Sequence, residues 1–326
     1  MNIIVQKFGG SSVKDKESLL HVIEKIKSEK ENGNKVVVVV SAQGKTTDGL
    51  IAKAKEYTNN VYNKEMDLLL STGEIVTVSL LTMMLKDIGY ECVGLTGSQA
   101  GIITDSNYSY AKIKMVLKEN IFKHLENNDV VVIAGFQGID KFGNITTLGR
   151  GGSDLSAVAI AASLKAQRCE IYTDVDGVYK ADPNLIKEAK LLDRVSYNEM
   201  LEAASNGAKV LHNRAVSLAK KYKLKVLVKN TKNNTRGTEI SEEILINETK
   251  IPKILAIEKD LVKITLVGEE LMTSTYNIRE IYNIAEEENI TLSMVSLSET
   301  SLSVIVKKED SERLLKKIYK RILENV

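Results

Sequence analysis

Six short stretches of the 326-residue chain combine residue types that can do chemistry. The first is Lys7-Phe8-Gly9-Gly10-Ser11-Ser12. Paired glycines let backbone N–H groups close on an oxyanion with no Cβ in the way. The lysine ahead of them can neutralise charge on a transferring phosphoryl group. The same pair also serves as a plain strand-to-helix turn. Second comes Ser41-Ala42-Gln43-Gly44-Lys45-Thr46-Thr47. Its Gly-Lys-Thr is not a P-loop, because Val39 stands where that pattern needs a glycine. The hydroxyls of Ser41, Thr46 and Thr47 are either substrate contacts or parts of a polar turn with a helix cap. Third is Ser71-Thr72-Gly73-Glu74, where Glu74 either meets a ligand ammonium or favours the first turn of a helix running into Ile75–Leu85.

The fourth stretch, Thr147-Leu148-Gly149-Arg150-Gly151-Gly152-Ser153-Asp154, opens a small-residue apolar segment, Leu155–Leu164. An amino-acid substrate needs a cation for its α-carboxylate and an anion for its ammonium, and Arg150 and Asp154 supply both. Gly151 and Gly152 bring backbone near a ligand, and Ser153 sits at a helix start that favours anions. Capping explains Ser153 and Asp154 but leaves Arg150 and three glycines unaccounted for, so a binding role is preferred. Fifth is Tyr172-Thr173-Asp174-Val175-Asp176-Gly177-Val178-Tyr179, a loop suited to ribose and adenine, or a turn with Asx capping. Asp174 and Asp176 form no evident metal cage, and Mg²⁺ in phosphoryl transfer is held mainly by phosphates and water. Last is Asn206-Gly207-Ala208-Lys209-Val210-Leu211-His212, where Lys209 is a phosphate contact or a surface lysine, and His212 reads as structural.

These stretches need rigid elements behind them. Short β-branched runs at 3–8, 36–41, 92–95, 130–134, 170–173 and 225–228 alternate with segments of helical spacing. In 15–32, Leu19, Ile23 and Ile26 share one face. Five consecutive valines, Val36–Val40, indicate a strand buried on both sides, as in a parallel sheet between helices. Residues 229–253 read as a return strand plus a linker. A compact βαββα unit of about 70 residues follows, with a tight turn at Ser298-Glu299-Thr300.

Composition narrows the classes. A net charge of +2 gives no nucleic-acid footprint, and no run of 18 apolar residues marks a membrane span. The N-terminus lacks the pattern of a signal peptide. Cys92 and Cys169, far apart in apolar segments, read as reduced thiols of a cytoplasmic protein. The three histidines have no zinc-ligand spacing.

In order and setting, KFGGSS, SAQGKTTD, STGEIV, TLGRGGSD, YTDVDGVYKADP and NGAKVLHNRAV resemble the catalytic domain of the aspartokinases, within the amino-acid kinase fold. The resemblance implies an α/β fold, a mainly parallel central sheet sandwiched by helices, followed by a small α+β ferredoxin-like ACT domain. The implied division is 1–235 catalytic domain, 236–253 linker and 254–326 a single ACT-like unit for regulation or dimerisation. The implied reaction passes the γ-phosphoryl group of ATP, with Mg²⁺, to L-aspartate, the first step toward lysine, threonine and methionine. Lys7, Gly9, Gly10 and Ser11 would hold the phosphoryl group, with Lys7 and Asp154 catalytic. Ser41, Thr47, Glu74, Arg150, Gly151, Gly152, Ser153 and Asp154 would bind aspartate. Thr173, Asp174, Tyr179, Asn184, Lys209 and Val210 would line the nucleotide pocket. Asn184 stands where many members carry arginine, Ser11 where threonine is usual, and Asn213 where proline is usual. One ACT-like unit stands where the family usually has two; it can still pair across a homodimer, and the resemblance leaves lysine or threonine feedback open, as either kept or lost with the second unit.

Overall fold

The computed structural model describes residues 2–59, 63–208, 210–242, 253–268, 275–298 and 300–324. Contacts divide the chain into two units, Met1–Ala256 and Ile257–Val326.

The first unit begins β1 (Ile3–Phe8), α1 (Lys16–Glu31), β2 (Lys35–Val40), α2 (Thr46–Tyr57) and α3 (Lys64–Asp87). Next come β3 (Cys92–Leu95), β4 (Ile102–Thr104), β5 (Ile113–Val116), α4 (Lys118–Asn127), β6 (Val130–Ala134), β7 (Gln137–Ile139) and β8 (Ile145–Thr147). It closes with α5 (Gly152–Ser163), β9 (Arg168–Thr173), β10 (Arg194–Ser196), α6 (Tyr197–Ser205), α7 (Asn213–Lys221), β11 (Val226–Asn230) and β12 (Thr238–Ser241). The main sheet runs β10-β12-β11-β9-β1-β2-β6-β3. Its pairings are parallel except β11 with β12. A smaller sheet, β5-β4-β7-β8, is mostly antiparallel.

The valine run does what its composition expects. Val36–Val40 are all fully buried in β2, and alternate residues feed different cores. Val37 and Val39 join one cluster, and Val36, Val38 and Val40 the other. Period-two alternation with both faces apolar is the mark of a covered strand. The expected face of α1 is also found, with Leu19, Ile23 and Ile26 buried.

Two expectations change. Glu74 is not in a first turn: α3 starts at Lys64, capped by Asn63, and passes straight through Gly73. By length and composition α3 could cross a membrane, but half of its most apolar window is buried in the fold. The stretch 236–253 is not all linker either. Thr238 and Ile240 point inward from β12, which pairs with β11, and Lys253 reaches Glu199 at 2.8 Å. Residues 243–252 lie outside the described residues.

The second unit contains β13 (Leu261–Val267), α8 (Thr275–Glu287), β14 (Met294–Leu297), β15 (Ser301–Lys307) and α9 (Lys308–Ile318). That is the expected βαββα order, with an antiparallel sheet β13-β15-β14. Leu266, Ile281, Ile284, Val304 and Leu314 form its core. Glu299 of the expected turn is outside the described residues.

Candidate active site

Three of the six stretches follow the carboxyl ends of the parallel strands β1, β2 and β9, where ligands bind in open α/β sheets. After β1, Gly9 donates its N–H to Tyr172 O at 3.3 Å, and Gly10 O accepts from Gly44 N at 3.0 Å. A Cβ on Gly10 would lie 3.0 Å from Ala42 O, so the two loops need glycine to meet. Ser11 is exposed, while Ser12 is buried and shares a 2.6 Å hydrogen bond with Thr231 Oγ1. After β2, Ser41 donates its N–H to Phe8 O at 3.1 Å. Thr46 spends its hydroxyl on Gln43 O, and Thr47 is half-buried in the first turn of α2.

Lys7 ends near the start of α5. Its Nζ stands 2.6 Å from Asp154 Oδ1, and both side chains are mostly buried. That ion pair ties the first motif to the fourth across some 150 residues of sequence.

Arg150 sits between two left-handed glycines, Gly149 at φ +74° and Gly151 at φ +70°. Other residues rarely adopt that conformation. A Cβ on Gly151 would also run into the His212 ring, which packs directly on it. Burial pushes the His212 pKa down, and its Nδ1 accepts from Arg214 N at 3.4 Å, so the ring caps α7. Arg150 itself is exposed, and among the described residues no hydrogen bond or ion pair engages it. Ser153 is buried against Gly135, at the end of β6.

Glu74 lies at the middle of α3. Gly73 lets the helix approach Ala42, since a Cβ there would be 2.8 Å from the alanine Cβ. Glu74 Oε1 accepts from Ala42 N at 3.0 Å, while Oε2 has no partner among the described residues. Burial raises its pKa to about 7, against the pull of the Ala42 N–H. A buried, half-satisfied carboxylate invites a ligand donor.

The fifth motif is more tied up than expected. Thr173 donates to Asp174 at 3.0 Å, and Tyr179 OH donates to Asp176 at 3.1 Å. Asp176 also accepts from Asn230 and Asn233 at 2.8 Å each. Asn184 is exposed and folded back on Asp182 at 3.1 Å. Val210 is half-buried and packs on the core. Lys209 lies outside the described residues.

The model of the amino acid kinase family matches residues 2–230. An aspartokinase of Bacillus sp. strain MGA3 is 44% identical over the whole of this chain and 79% of its own length. Aspartokinase 2 of Bacillus subtilis strain 168 is 42% identical over 99% of this chain and 80% of its own. Escherichia coli aspartokinase III, solved with lysine and aspartate, superposes with a TM-score of 0.83 at 24% identity, covering 98% of this chain and 83% of that one. The Synechocystis aspartate kinase gives 0.65 at 36% identity, over 96% of this chain and 54% of that one. The chain belongs to the aspartokinases. For an aspartokinase, reading the sequence missed two residues that frame the site. Asp67 is fully buried on the same face of α3 as Glu74, one heptad earlier, and holds Thr147. Arg214, in the first turn of α7, donates to the carbonyl of Leu148. The signal for Asp67 was present: a carboxylate seven residues before Glu74 falls on the same side of a helix. Arg214 falls inside the NGAKVLHNRAV stretch, but no local pattern there points to its contact with Leu148.

Proposed function

We propose that this site transfers the γ-phosphoryl group of ATP to the β-carboxylate of L-aspartate, giving 4-phospho-L-aspartate and ADP. The observation that carries the reading is the Lys7–Asp154 pair, which brings the phosphate-type loop and the amino-acid-type loop to one point. Arg150, exposed and unengaged among the described residues, takes the substrate α-carboxylate. Glu74 offers its unpartnered oxygen to the ammonium. This shifts the ammonium role from Asp154, whose carboxylate is committed to Lys7. Gly151, Gly152, Ser153, Ser41 and Thr47 complete the substrate shell.

No protein nucleophile is required, because the substrate carboxylate attacks phosphorus itself. Catalysis is positioning plus charge stabilisation. Lys7, with the backbone at Gly9 and Gly10, meets the charge on the transferring oxygens, and Asp154 aims the lysine. ATP arrives as its Mg²⁺ complex, the cation riding on its phosphates. Thr173, Asp174, Tyr179, Asn184, Lys209 and Val210 border the nucleotide. The reaction opens lysine, threonine and methionine synthesis in the cytoplasm. The second unit acts as one ACT-like module that pairs across a homodimer and binds an effector such as lysine or threonine.

The test is ADP release with MgATP and aspartate, glutamate or acetylglutamate, then with lysine, threonine and methionine singly and in pairs. Aspartate is the expected substrate. A preference for another acceptor ends the reading, and indifference to all three amino acids ends its regulatory part.

A further inference from the structure

The loop that carries Arg150 hangs from a two-residue stem, Thr147-Leu148, and a charged side chain grips each residue: the buried Asp67 and the half-buried Arg214. Asp67, fully buried on α3, accepts from Thr147 N at 2.7 Å and from Thr147 Oγ1 at 2.8 Å. The same carboxylate accepts from Ser109 N at 2.9 and 3.0 Å and from Ser109 Oγ at 3.3 Å. On α7, Arg214 donates to Leu148 O and, at 2.8 Å, to Ala111 O. Ala111 N in turn donates to Thr147 O at 2.9 Å. Residues 109–111 thus form a strap pinned to the stem on both flanks. The ring of Tyr110 fills the space beside Gly149, where a Cβ would lie 2.9 Å from it. Ser109 adopts φ +67°, a conformation that is uncommon outside glycine, and both Asp67 oxygens hold its N–H there.

Asp67 and Glu74 project from the same buried face of one helix. A rigid element therefore carries both the group offered to the substrate ammonium and the group that holds the stem of the carboxylate-binding loop. We infer that Asp67 and Arg214 are positioning residues for the amino-acid substrate, fixing Arg150 at a set separation from Glu74. The inference rests on the roles proposed above for Arg150 and Glu74. An α-amino acid presents its carboxylate and ammonium at a fixed spacing, so a loop displaced by about 1 Å loses one contact or the other. The loop after β9 proposed for the nucleotide is held by contacts of its own, such as Tyr179 to Asp176, so ATP binding is expected to be spared.

The experiment is steady-state kinetics on the full chain with MgATP and L-aspartate, alongside thermal melting. The variants are Asp67→Asn, Thr147→Val, Arg214→Gln, Arg150→Ala and the double variant Asp67→Asn/Arg150→Ala. Asn in place of Asp67 turns an amide NH₂ toward N–H groups that need an acceptor. It is expected to raise the KM for aspartate roughly tenfold or more while the KM for ATP stays within about twofold. Thr147→Val removes a single hydroxyl contact and raises the same KM by about 2–5-fold, as does Arg214→Gln. With Arg150 already replaced, Asp67→Asn adds less than about twofold, because its route of action is gone. A lowered melting temperature with unchanged KM for aspartate, a parallel rise in both KM values, or full additivity in the double variant overturns the inference. If Asp67→Asn fails to fold, Thr147→Val and Arg214→Gln carry the same criteria. Arg150→Ala with unchanged KM would overturn the reading beneath. Arg150→Ala raising KM while the anchor variants do not would overturn the inference alone.

Discussion

Two buried glutamates of the same unit have opposite surroundings. Glu170, on β9, is wholly buried and saturated. It accepts from Gln6 and Tyr172 OH at 3.0 Å each, from Arg168 Nε at 2.9 Å and from Lys229 at 3.0 Å. Arg168 extends the network to Glu29 at 2.6 Å. Burial pushes the Glu170 pKa up, but Lys229, Gln6 and Arg168 outweigh it and hold the carboxyl below the usual range. Glu74 is nearly as buried, its side chain accepts one hydrogen bond among the described residues, and burial pushes its pKa up to about 7. Burial alone therefore does not separate scaffold from site. On the proposed reading the count of satisfied oxygens does, because a saturated carboxylate has nothing left to offer a ligand and a half-satisfied one is destabilised until something binds.

Breaking the saturated network should cost the most. Glu170→Ala leaves Arg168 and Lys229 without their shared acceptor inside the protein, and loss of one partner from such a network costs about 3–5 kcal/mol. Urea unfolding should show that loss, while kcat/KM of the folded fraction stays within about twofold. A collapse of activity at unchanged stability would erase the distinction between the two glutamates.

Next in size is Lys7→Ala. On the proposed role it removes a charge from the transferring phosphoryl group, and it leaves the mostly buried Asp154 without its ion-pair partner, so kcat should fall by about 10²–10³. The KM for aspartate should change little, since Arg150 and Glu74 remain. Single-turnover phosphoryl transfer measures this directly, and a wild-type rate would refute the role of Lys7.

The same contrast explains what was legible in the sequence. Glycine-rich stretches after β-branched runs, such as Gly9-Gly10 after Ile3–Phe8, announce strand ends, and the parallel sheet puts those ends together. Val36–Val40 could be read because a strand covered on both faces needs no alternation. β4, β7 and β8 could not, since each is three residues long and shows no period. The start of α3 was hidden by Lys64-Glu65, polar residues that suit a first turn as well as a loop, and with it went the true depth of Glu74. Which oxygens are satisfied depends on partners far away in sequence: Glu170 meets Gln6 and Lys229, and Asp67 meets Ser109 and Thr147. No local pattern encodes those pairings.

The smallest expected effect is one of pH, and it isolates Glu74. With a pKa raised by burial to about 7, Glu74 is protonated below that pH and could not play its proposed part with an ammonium. The KM for aspartate should therefore rise as pH falls through 7, approaching tenfold per unit, or about 1.4 kcal/mol. Glu74→Gln should flatten that profile. The stability sign runs the other way. A carboxyl whose folded pKa is raised contributes most when protonated, below its ordinary 4.5, and that contribution is lost as pH rises through about 7. At pH 8, Glu74→Gln should then melt higher than the wild type while binding aspartate worse. Saturating aspartate should narrow the gap, because its ammonium supplies the missing partner to the wild-type carboxylate alone. A wild-type melting temperature that stays below that of Glu74→Gln by the same margin with and without aspartate would mean that Glu74 never meets the substrate, and its open oxygen would need another explanation.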